Sequence, residues 1–511
     1  MPRALVAGVE SAPANFDMEQ PAAFGDSVGS DISSSVYEQL TGPRPLLGTD
    51  GVWRVDWSDL EAQLAEGWWF SPDGRTCTFR LRPGVRSPDG NELTAEDVRW
   101  SWERSFGVRD VGKWVARISS VQEATDVEVV DPLTVAFHLR APNPALPRTM
   151  AQGTPNVYDS RVARAGQSPE DPWASSLLGA RPSGFGPYRL VRADGESLTE
   201  IEANPHYHGG PPPIGEVVAR RYPSTEEAIQ ALLQGDVDLV PGVPWSALSR
   251  VRSERRLRIT PAASTAGVFL HLDPGAEPLD DPRVRQAIAH ATPYRAVLQT
   301  AYAGTAERWY SWVKPESPGY DPASWPYEED VGRARALLAS SKGAGGFSTS
   351  IVVLPGEGLE VVAELLAERL GRLGISADVR LEPRGGDRSG RVRTEGNLAP
   401  IMVRASHDGR GQRVAEPLYA YYHDWGPGRM RLFPFRYHNE EFFDALRAVP
   451  EAGHGASWAA AVRRLQRLHN RDAVMIPLCA QRYYVAHDRE LEGYCWLPEN
   501  RLPFARMRWR R

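Results

Sequence analysis

The sequence predicts an α/β protein built as two lobes, on two observations. Its 511 residues exceed the size at which one hydrophobic core keeps growing, so the chain divides. Between residues 348 and 381 the apolar pattern reads strand, amphipathic helix, strand (348–354, 359–373, 375–381). That order sets two parallel strands side by side with a helix packed over them.

Bulk composition narrows the function. Hydrophobic residues at 41% and charged residues at 24% are ordinary for a globular chain. The net charge of −6 is spread over both signs with no long basic run, which argues against nucleic-acid binding as the main role. Arg506, Arg508, Arg510 and Arg511 read as a short basic tail. No stretch approaches the length of a transmembrane helix. Three cysteines are too few for a disulfide framework, and no pair has metal-site spacing. Cys77 sits in a strand pattern; Cys479 and Cys495 are either free thiols or, in an exported protein, one bridge.

Taken in order, residues 4–9 read as a strand and 11–17 as a loop. The run 4–9 is shorter than the apolar region of an export signal plus its cleavage site, and no lipobox cysteine follows. Residues 31–40 read as a helix with polar Asp31 and Ser33 at its start and apolar Val36, Tyr37 and Leu40. Ser71-Pro72-Asp73-Gly74 is a turn, since Pro presets φ and Asp-Gly accepts a positive φ. Cys77, Phe79 and Leu81 then alternate with Thr76, Thr78, Arg80 and Arg82, the period of a half-buried strand. Asp89-Gly90 makes a second turn, and Thr94 with Asp97 has the spacing of a capping box. Val98, Ser101, Trp102 and Ser105 follow at helical spacing.

This stretch resembles the signature segment of the extracytoplasmic solute-binding proteins of family 5, the peptide- and nickel-type binding proteins of ABC importers. The resemblance rests on Trp69, Ser71, Asp73, Gly74, Phe79, Leu81, Arg82, Gly84 and Val85, then Asp89, Gly90 and Leu93 to Val98. Later segments extend it. The run 129–144 is similar to a family strand pair, 182–188 (PSGFGPY) to a Gly-Thr-Gly-Pro-Tyr turn, and 204–210 (NPHYHGG) to an Asn-Pro-x-Tyr-x-Gly-Gly turn. Helix 225–234 with Gly235-Asp236-Val237-Asp238-Leu239, strand 267–272 and the helix from Asp281-Pro282 also match. By pattern alone, 121–140 is a hairpin, 141–182 irregular loop, 327–341 helical, 458–469 a helix capped by Ser457, and 473–478 a strand.

The resemblance implies the type II, cluster C periplasmic-binding-protein-like fold: an α/β two-lobed protein with an extra subdomain on lobe 1. The expected division is lobe 1 at 1–44 and 181–265, the extra subdomain at 45–180, lobe 2 at 266–472, and a return to lobe 1 at 473–511. It implies capture of a peptide or peptide-like small molecule in an interlobe cleft by hinge closure, then docking on an ABC permease if the protein is exported. It also implies a monomer without a cofactor. The expected location is extracytoplasmic if a signal peptide has been removed, and cytoplasmic otherwise.

Family resemblance weakens over residues 385–440, where the ligand-facing segment belongs. In peptide-binding members an Asp in this part of lobe 2 pairs with the ligand's α-amino group. The matching segment here is Arg404-Ala405-Ser406-His407-Asp408-Gly409, without the family's Trp, Tyr and Asp-Pro. Arg404, His407 and Asp408 are the implied ligand contacts, and a solvated loop is the other reading of Asp408. The run 417–437 is dense in aromatics, and consecutive tyrosines cannot all face one core. Tyr421 and Trp425 are the candidates for a concave apolar wall; a loop packed by its own side chains is the other reading. The loop after the first strand, which lines the cleft in the family, adds Asn15 and Phe16.

Where some dipeptide binders carry an Arg after the strand matching 351–354, this chain has Pro355-Gly356-Glu357, which favours a longer or modified peptide-like ligand. The resemblance puts His206-x-His208 in a structural turn, and His407, His423 and His438 follow no ligand spacing, so no metal-ligand set is expected; the nickel-type members, which bind a chelated metal with little protein ligation, keep that as the other reading. His407-Asp408 and His423-Asp424 place acid beside base, but neighbours on an extended chain point to opposite sides. With no Gly-x-Ser-x-Gly elbow or P-loop, catalysis is the weaker reading. The alternative is a cytosolic offshoot of the fold that binds or converts a biosynthetic intermediate.

Overall fold

The computed structural model describes residues 3–20, 27–47, 53–108, 119–140, 142–144, 146–151, 156–262, 267–313, 319–354, 356, 358–382, 400–406, 437–452, 455–480, 482–494 and 502–510. The chain forms two units, Met1–Ala262 with Tyr483–Arg511, and Ala263–Arg482.

In unit 1 the strands are β1 (Leu5–Val9), β2 (Thr41–Leu47), β3 (Trp53–Ala62), β4 (Ala65–Phe70), β5 (Thr76–Leu81), β6 (Val127–Asp131), β7 (Thr134–His138), β8 (Tyr188–Ala193), β9 (Leu198–Ala203), β10 (Glu216–Arg221), β11 (Leu239–Pro241) and β12 (Leu257–Ala262). The returning strand Tyr483–Asp488 lies between β12 and β11, followed by β1, β10, β9 and β8, in a seven-stranded sheet. β1 runs parallel to both β10 and β11. Its alternation explains the placement: Leu5, Ala7 and Val9 join a core with Val217, Ala219 and Leu239. Val6, on the other face, packs against the core that holds Ala228, Ile229 and Leu232. Those three come from α6 (Thr225–Gln234), which starts on the Ser224 cap and stops at Gly235 with φ +92°, as the sequence predicts; the short α7 (Leu248–Ser253) leads into β12.

A second, antiparallel sheet, in the order β4-β5-β7-β6, carries the signature stretch. Gly74 (φ +67°) donates its N–H to Ser71 O at 2.9 Å, closing the predicted turn. Helix α2 (Ala95–Gly107) covers this sheet through Val98 and Trp102, which pack with Phe79, Leu81, Val135 and Phe137. Thr94 donates from its N–H and Oγ1 to Asp97 Oδ2 at 2.7 and 2.9 Å, the predicted cap. The Gly-rich turn at 184–186 has a steric cause. A Cβ on Gly186 would lie 2.6 Å from Val36 O, at the end of α1 (Ser27–Val36).

Two expectations shift here. Helix α1 ends at Val36 and not at Leu40, because the Val36 carbonyl is taken by the Gly186 N–H at 2.8 Å. Residues 141–182 are not wholly irregular: they hold the short helices α3 (Leu146–Met150), α4 (Ser160–Ala165) and α5 (Ser175–Ala180). Helices of five or six residues show no sequence period.

Unit 2 has strands β13 (Gly267–Leu272), β14 (Glu307–Arg308), β15 (Phe347–Val353), β16 (Ile375–Leu381), β17 (Ile401–Ser406) and β18 (Met475–Ala480). They form one sheet in the order β14-β18-β13-β17-β15-β16. The predicted strand–helix–strand unit is present: β15 and β16 pair in parallel, joined by α10 (Leu359–Gly371). Strand β13 is buried along its whole length, covered on both faces. Helices α8 (Pro282–Ala291), α9 (Val331–Ala339) and α10 pack on one face with Leu270, Ile351 and Val403. Helices α11 (Glu440–Glu451) and α12 (Gly455–Arg471) pack on the other with Phe269 and Met475.

The last boundary moves. Expected at 473, the return to unit 1 comes at Tyr483, because β18 pairs with β13 and β14 inside unit 2. Helix α12 begins at Gly455, so Ser457 lies within its first turn and is not its cap. Cys77 and Cys479 are buried free thiols, each pushed up to about 12 by burial; Cys495 lies outside the described residues.

Candidate ligand-binding site

In open α/β sheets, ligands bind beyond the carboxyl ends of the strands. Unit 2 builds such an edge. Val353 of β15 stands opposite Leu381, the end of β16, and Val403 of β17. Ser406, the end of β17, stands opposite Gly267, which also faces Ala480, the end of β18. Four strands therefore finish on one edge, where β13 and β14 begin. His407, Asp408, Tyr421 and Trp425 lie outside the described residues; the strand that precedes them, β17, ends on this edge.

Arg404 is the one lobe 2 candidate among the described residues. It sits on β17 opposite Phe269 and is only 6% exposed. Its Nε donates to His271 Nε2 at 2.9 Å. An imidazole accepting at Nε2 carries its proton on Nδ1. Burial, then the Arg404 cation, then His469 hold His271 well below the usual histidine range. Burial drives His469 down to about 3. Both rings are therefore neutral at pH 7, and of these three side chains Arg404 carries the positive charge. Aromatic rings complete the surroundings: Phe269 is 6.3 Å from Trp309, and Trp312 meets His469 edge-on at 5.9 Å. A permanent guanidinium in a dry, aromatic setting acts strongly on any nearby anion.

In unit 1 the loop after β1 carries Asn15 and Phe16. Phe16 is 1% exposed and belongs to the core with Trp100, Tyr158 and Leu178. Its N–H donates to Gly179 O at 2.8 Å. Asn15 is half-buried, and its Oδ1 accepts from the Asp17 N–H at 2.9 Å.

Sequence reasoning missed what holds this loop. Arg104 of α2 is fully buried and forks onto Asp17 at 3.2 and 2.5 Å, while its Nη1 also reaches Glu19 at 2.6 Å. Arg104 Nε donates to Trp173 O, and further bonds reach Tyr158 and Ser175, so every donor is used. Ser105 donates to the other Glu19 oxygen at 2.5 Å. One cation serves two dry carboxylates. Asp17 holds the two-point contact, and Glu19 is pushed up to about 7, by burial first, against the pull of Arg104 and with the push of Asp17. The signal was present: Arg104 lies three residues beyond Ser101 on the helix face that Val98, Ser101 and Ser105 define.

His206 and His208 fall in a structural turn, as the sequence predicts: Asn204 Oδ1 accepts from the His206 N–H, and His208 Nε2 pairs with Glu38 at 2.5 Å. Among the described residues no group of three or more His, Cys, Asp or Glu side chains is placed to hold a metal. No helix among them is long and apolar enough to cross a membrane.

Comparison with known proteins agrees with this architecture. The glutathione-binding protein GsiB of Salmonella paratyphi A is 23% identical over 499 residues, 96% of this chain and 92% of that protein. The ABC transporter-associated periplasmic binding protein DppA of Helicobacter pylori, solved with the peptide STSA, superposes with a TM-score of 0.83 at 19% identity, covering 100% and 98% of the two chains. NikZ of Campylobacter jejuni, solved with Ni(L-His), gives 0.80 at 17% identity, covering 99% of each. The family model of bacterial extracellular solute-binding proteins, family 5, matches residues 59–426. By that match over most of its length, this chain belongs to the family 5 bacterial extracellular solute-binding proteins.

Proposed function

We propose that the protein captures a peptide or peptide-like small molecule in a cleft between its two lobes, closes about a hinge, and delivers the solute to an ABC importer. The observation that carries this reading is the double passage of the chain between units. It passes from unit 1 to unit 2 after Ala262 and back before Tyr483. On the unit 1 side the crossing strands are paired neighbours, with Ala262 opposite Tyr483. On the unit 2 side they are paired as well, with Gly267 opposite Ala480. Two passages of the chain, flanked on either side by paired strands, fit a hinge, where a few residues absorb the change in φ and ψ. Gly267 and Ala480 lie at the carboxyl edge where the unit 2 strands end, and the candidates Arg404, His407, Asp408, Tyr421 and Trp425 belong to β17 or the sequence after it. Asn15 is the proposed contribution of lobe 1; Phe16, expected beside it, is packed into the unit 1 core and anchors the loop instead.

Closure requires a solute that binds the closed form better than the open one. Native mass spectrometry of the protein exposed to a pool of short peptides and to cell extract tests the reading. The expected result is a stoichiometric adduct released unchanged on denaturation, with a smaller radius of gyration in small-angle scattering. An adduct that leaves with altered mass, or one that binds without compaction, overturns it.

A further inference from the structure

The loop after β1 stands on a set of charges that is one proton from balance. Its buried side bears Phe16, Asp17 and Glu19, while Ala14 is exposed and Asn15 half-buried. Asn15 is tied to that base directly, because its Oδ1 accepts from the Asp17 N–H. It also lies against Gly179 of α5, where an added Cβ would stand 2.7 Å from the Asn15 Oδ1. Glu19 donates its N–H to Asp17 Oδ1 at 3.3 Å, and Gln20 Nε2 reaches Ser175 Oγ at 3.0 Å. Asn15 and the two carboxylates thus belong to one connected network.

Among the described residues, α2 sets Arg104 and Ser105 against Glu19, and the loop itself sets Asp17 there. Tyr37, just past the end of α1, and Tyr158 feel the same carboxylates, but burial pushes both phenols up and they stay neutral. Asp171, on the side of Arg104 near α5, is taken by the Ser175 and Ser176 N–H groups. One guanidinium balances one carboxylate. With Glu19 protonated the set is neutral; with Glu19 ionised it holds a net negative charge sealed from solvent. The proton has a place to sit. Glu19 Oε1, 2.5 Å from Ser105 Oγ, donates when protonated, and the hydroxyl then accepts. Lifting the loop relieves the ionised set by admitting water.

We propose that Glu19 is a proton-sensitive positioning residue for solute capture: protonated, it seats the loop that presents Asn15, and ionised, it loosens that seat, so capture weakens as the medium turns alkaline. The switch adds regulation to the capture of a peptide-like solute proposed above and rests on that reading. The seated loop holds a proton that the lifted loop releases, since the carboxyl titrates at about 7 when buried against an ordinary 4.5. Lifting therefore becomes easier from about pH 4.5 upward and levels off above 7, a rise of about thirtyfold between pH 5.5 and 8.

The test compares the full chain with Glu19→Gln by two readouts across pH 5.5 to 8. Hydrogen exchange, corrected for its intrinsic pH dependence and referred to β5, reads the opening of residues 11–20. Native mass spectrometry reads occupancy by an equimolar pool of tri- to pentapeptides. The peptides' own charges titrate alike against both proteins, so the ratio of wild-type to variant occupancy cancels them. In wild type, opening should rise about tenfold to thirtyfold and the occupancy ratio should fall with pH, while opening in Glu19→Gln stays level. Opening that follows pH equally in both proteins overturns the switch and leaves the carrier reading standing. So does a level occupancy ratio, which would show a loop that titrates without serving capture. Binding of no peptide by either protein overturns the peptide reading, and the switch with it. Should Glu19→Gln fold poorly, Ser105→Ala decides. It removes a hydrogen bond that favours the ionised carboxylate, so the pH at which opening levels off should move up, and an unmoved value overturns the switch.

Discussion

Glu19 shows how one residue ties stability to pH. Its carboxyl titrates at about 7 in the folded chain against an ordinary 4.5. Between those values the folded state holds a proton that the unfolded state has released. Its contribution is therefore full below pH 4.5 and is lost as pH rises through 7. Replacing Glu19 by Gln keeps an acceptor for Arg104, turns the other contact into a donation from the amide to Ser105 Oγ, and removes the proton equilibrium. Denaturant midpoints at pH 5 and pH 8 should differ less in Glu19→Gln than in wild type; an unchanged difference would refute the assignment. Arg104→Met, by contrast, strands two buried carboxylates and should cost roughly 3–5 kcal/mol, read from urea unfolding. None of this cluster was legible as a cluster. Positions 17, 19 and 104 meet only once the loop after β1 docks on α2.

Elements were legible where local chemistry dictates them. The turn at Ser71–Gly74 and the cap at Thr94 depend on neighbours within a few residues, and both form as predicted. The cap also reaches further than sequence spacing reveals. Asp97 Oδ1 accepts from Ser160 N–H at 2.9 Å and from Ser160 Oγ at 2.6 Å, joining α2 to α4. Thr94→Ala should therefore cost about 1 kcal/mol, the value of a lost cap, and Asp97→Ala clearly more, since two donors of Ser160 are left buried. Thermal and urea unfolding of the two variants distinguish them; equal losses would mean that Asp97 acts as a cap only. Helix α1 was misjudged at both ends because its limits are set by partners distant in sequence. Gly186 takes the Val36 carbonyl, and the Asp31 carboxylate, read as a helix start, accepts from Leu502 N–H at 2.8 Å.

At the scale of the molecule, unit 2 is an insertion between two strands of unit 1, with its first and last strands paired at Gly267 and Ala480. It has apolar cores on both faces of its sheet. A chain whose ends lie together and whose core is its own folds independently. Residues 263–482 expressed alone should unfold in a single cooperative transition by circular dichroism. A broad, non-cooperative melt would show that unit 1 completes its core.

The sequence by itself determined the fold class, the signature hairpin and helix, the strand–helix–strand unit of lobe 2 and the family. Each depends on period, turn chemistry or a local motif, which act over a few residues. Tertiary structure alone decided that β18 stays in unit 2, that Arg104 serves Asp17 and Glu19, and that Arg404 rests against a neutral His271. Strand register and the satisfaction of buried charge are settled between segments tens to hundreds of residues apart, where no local pattern records the partner.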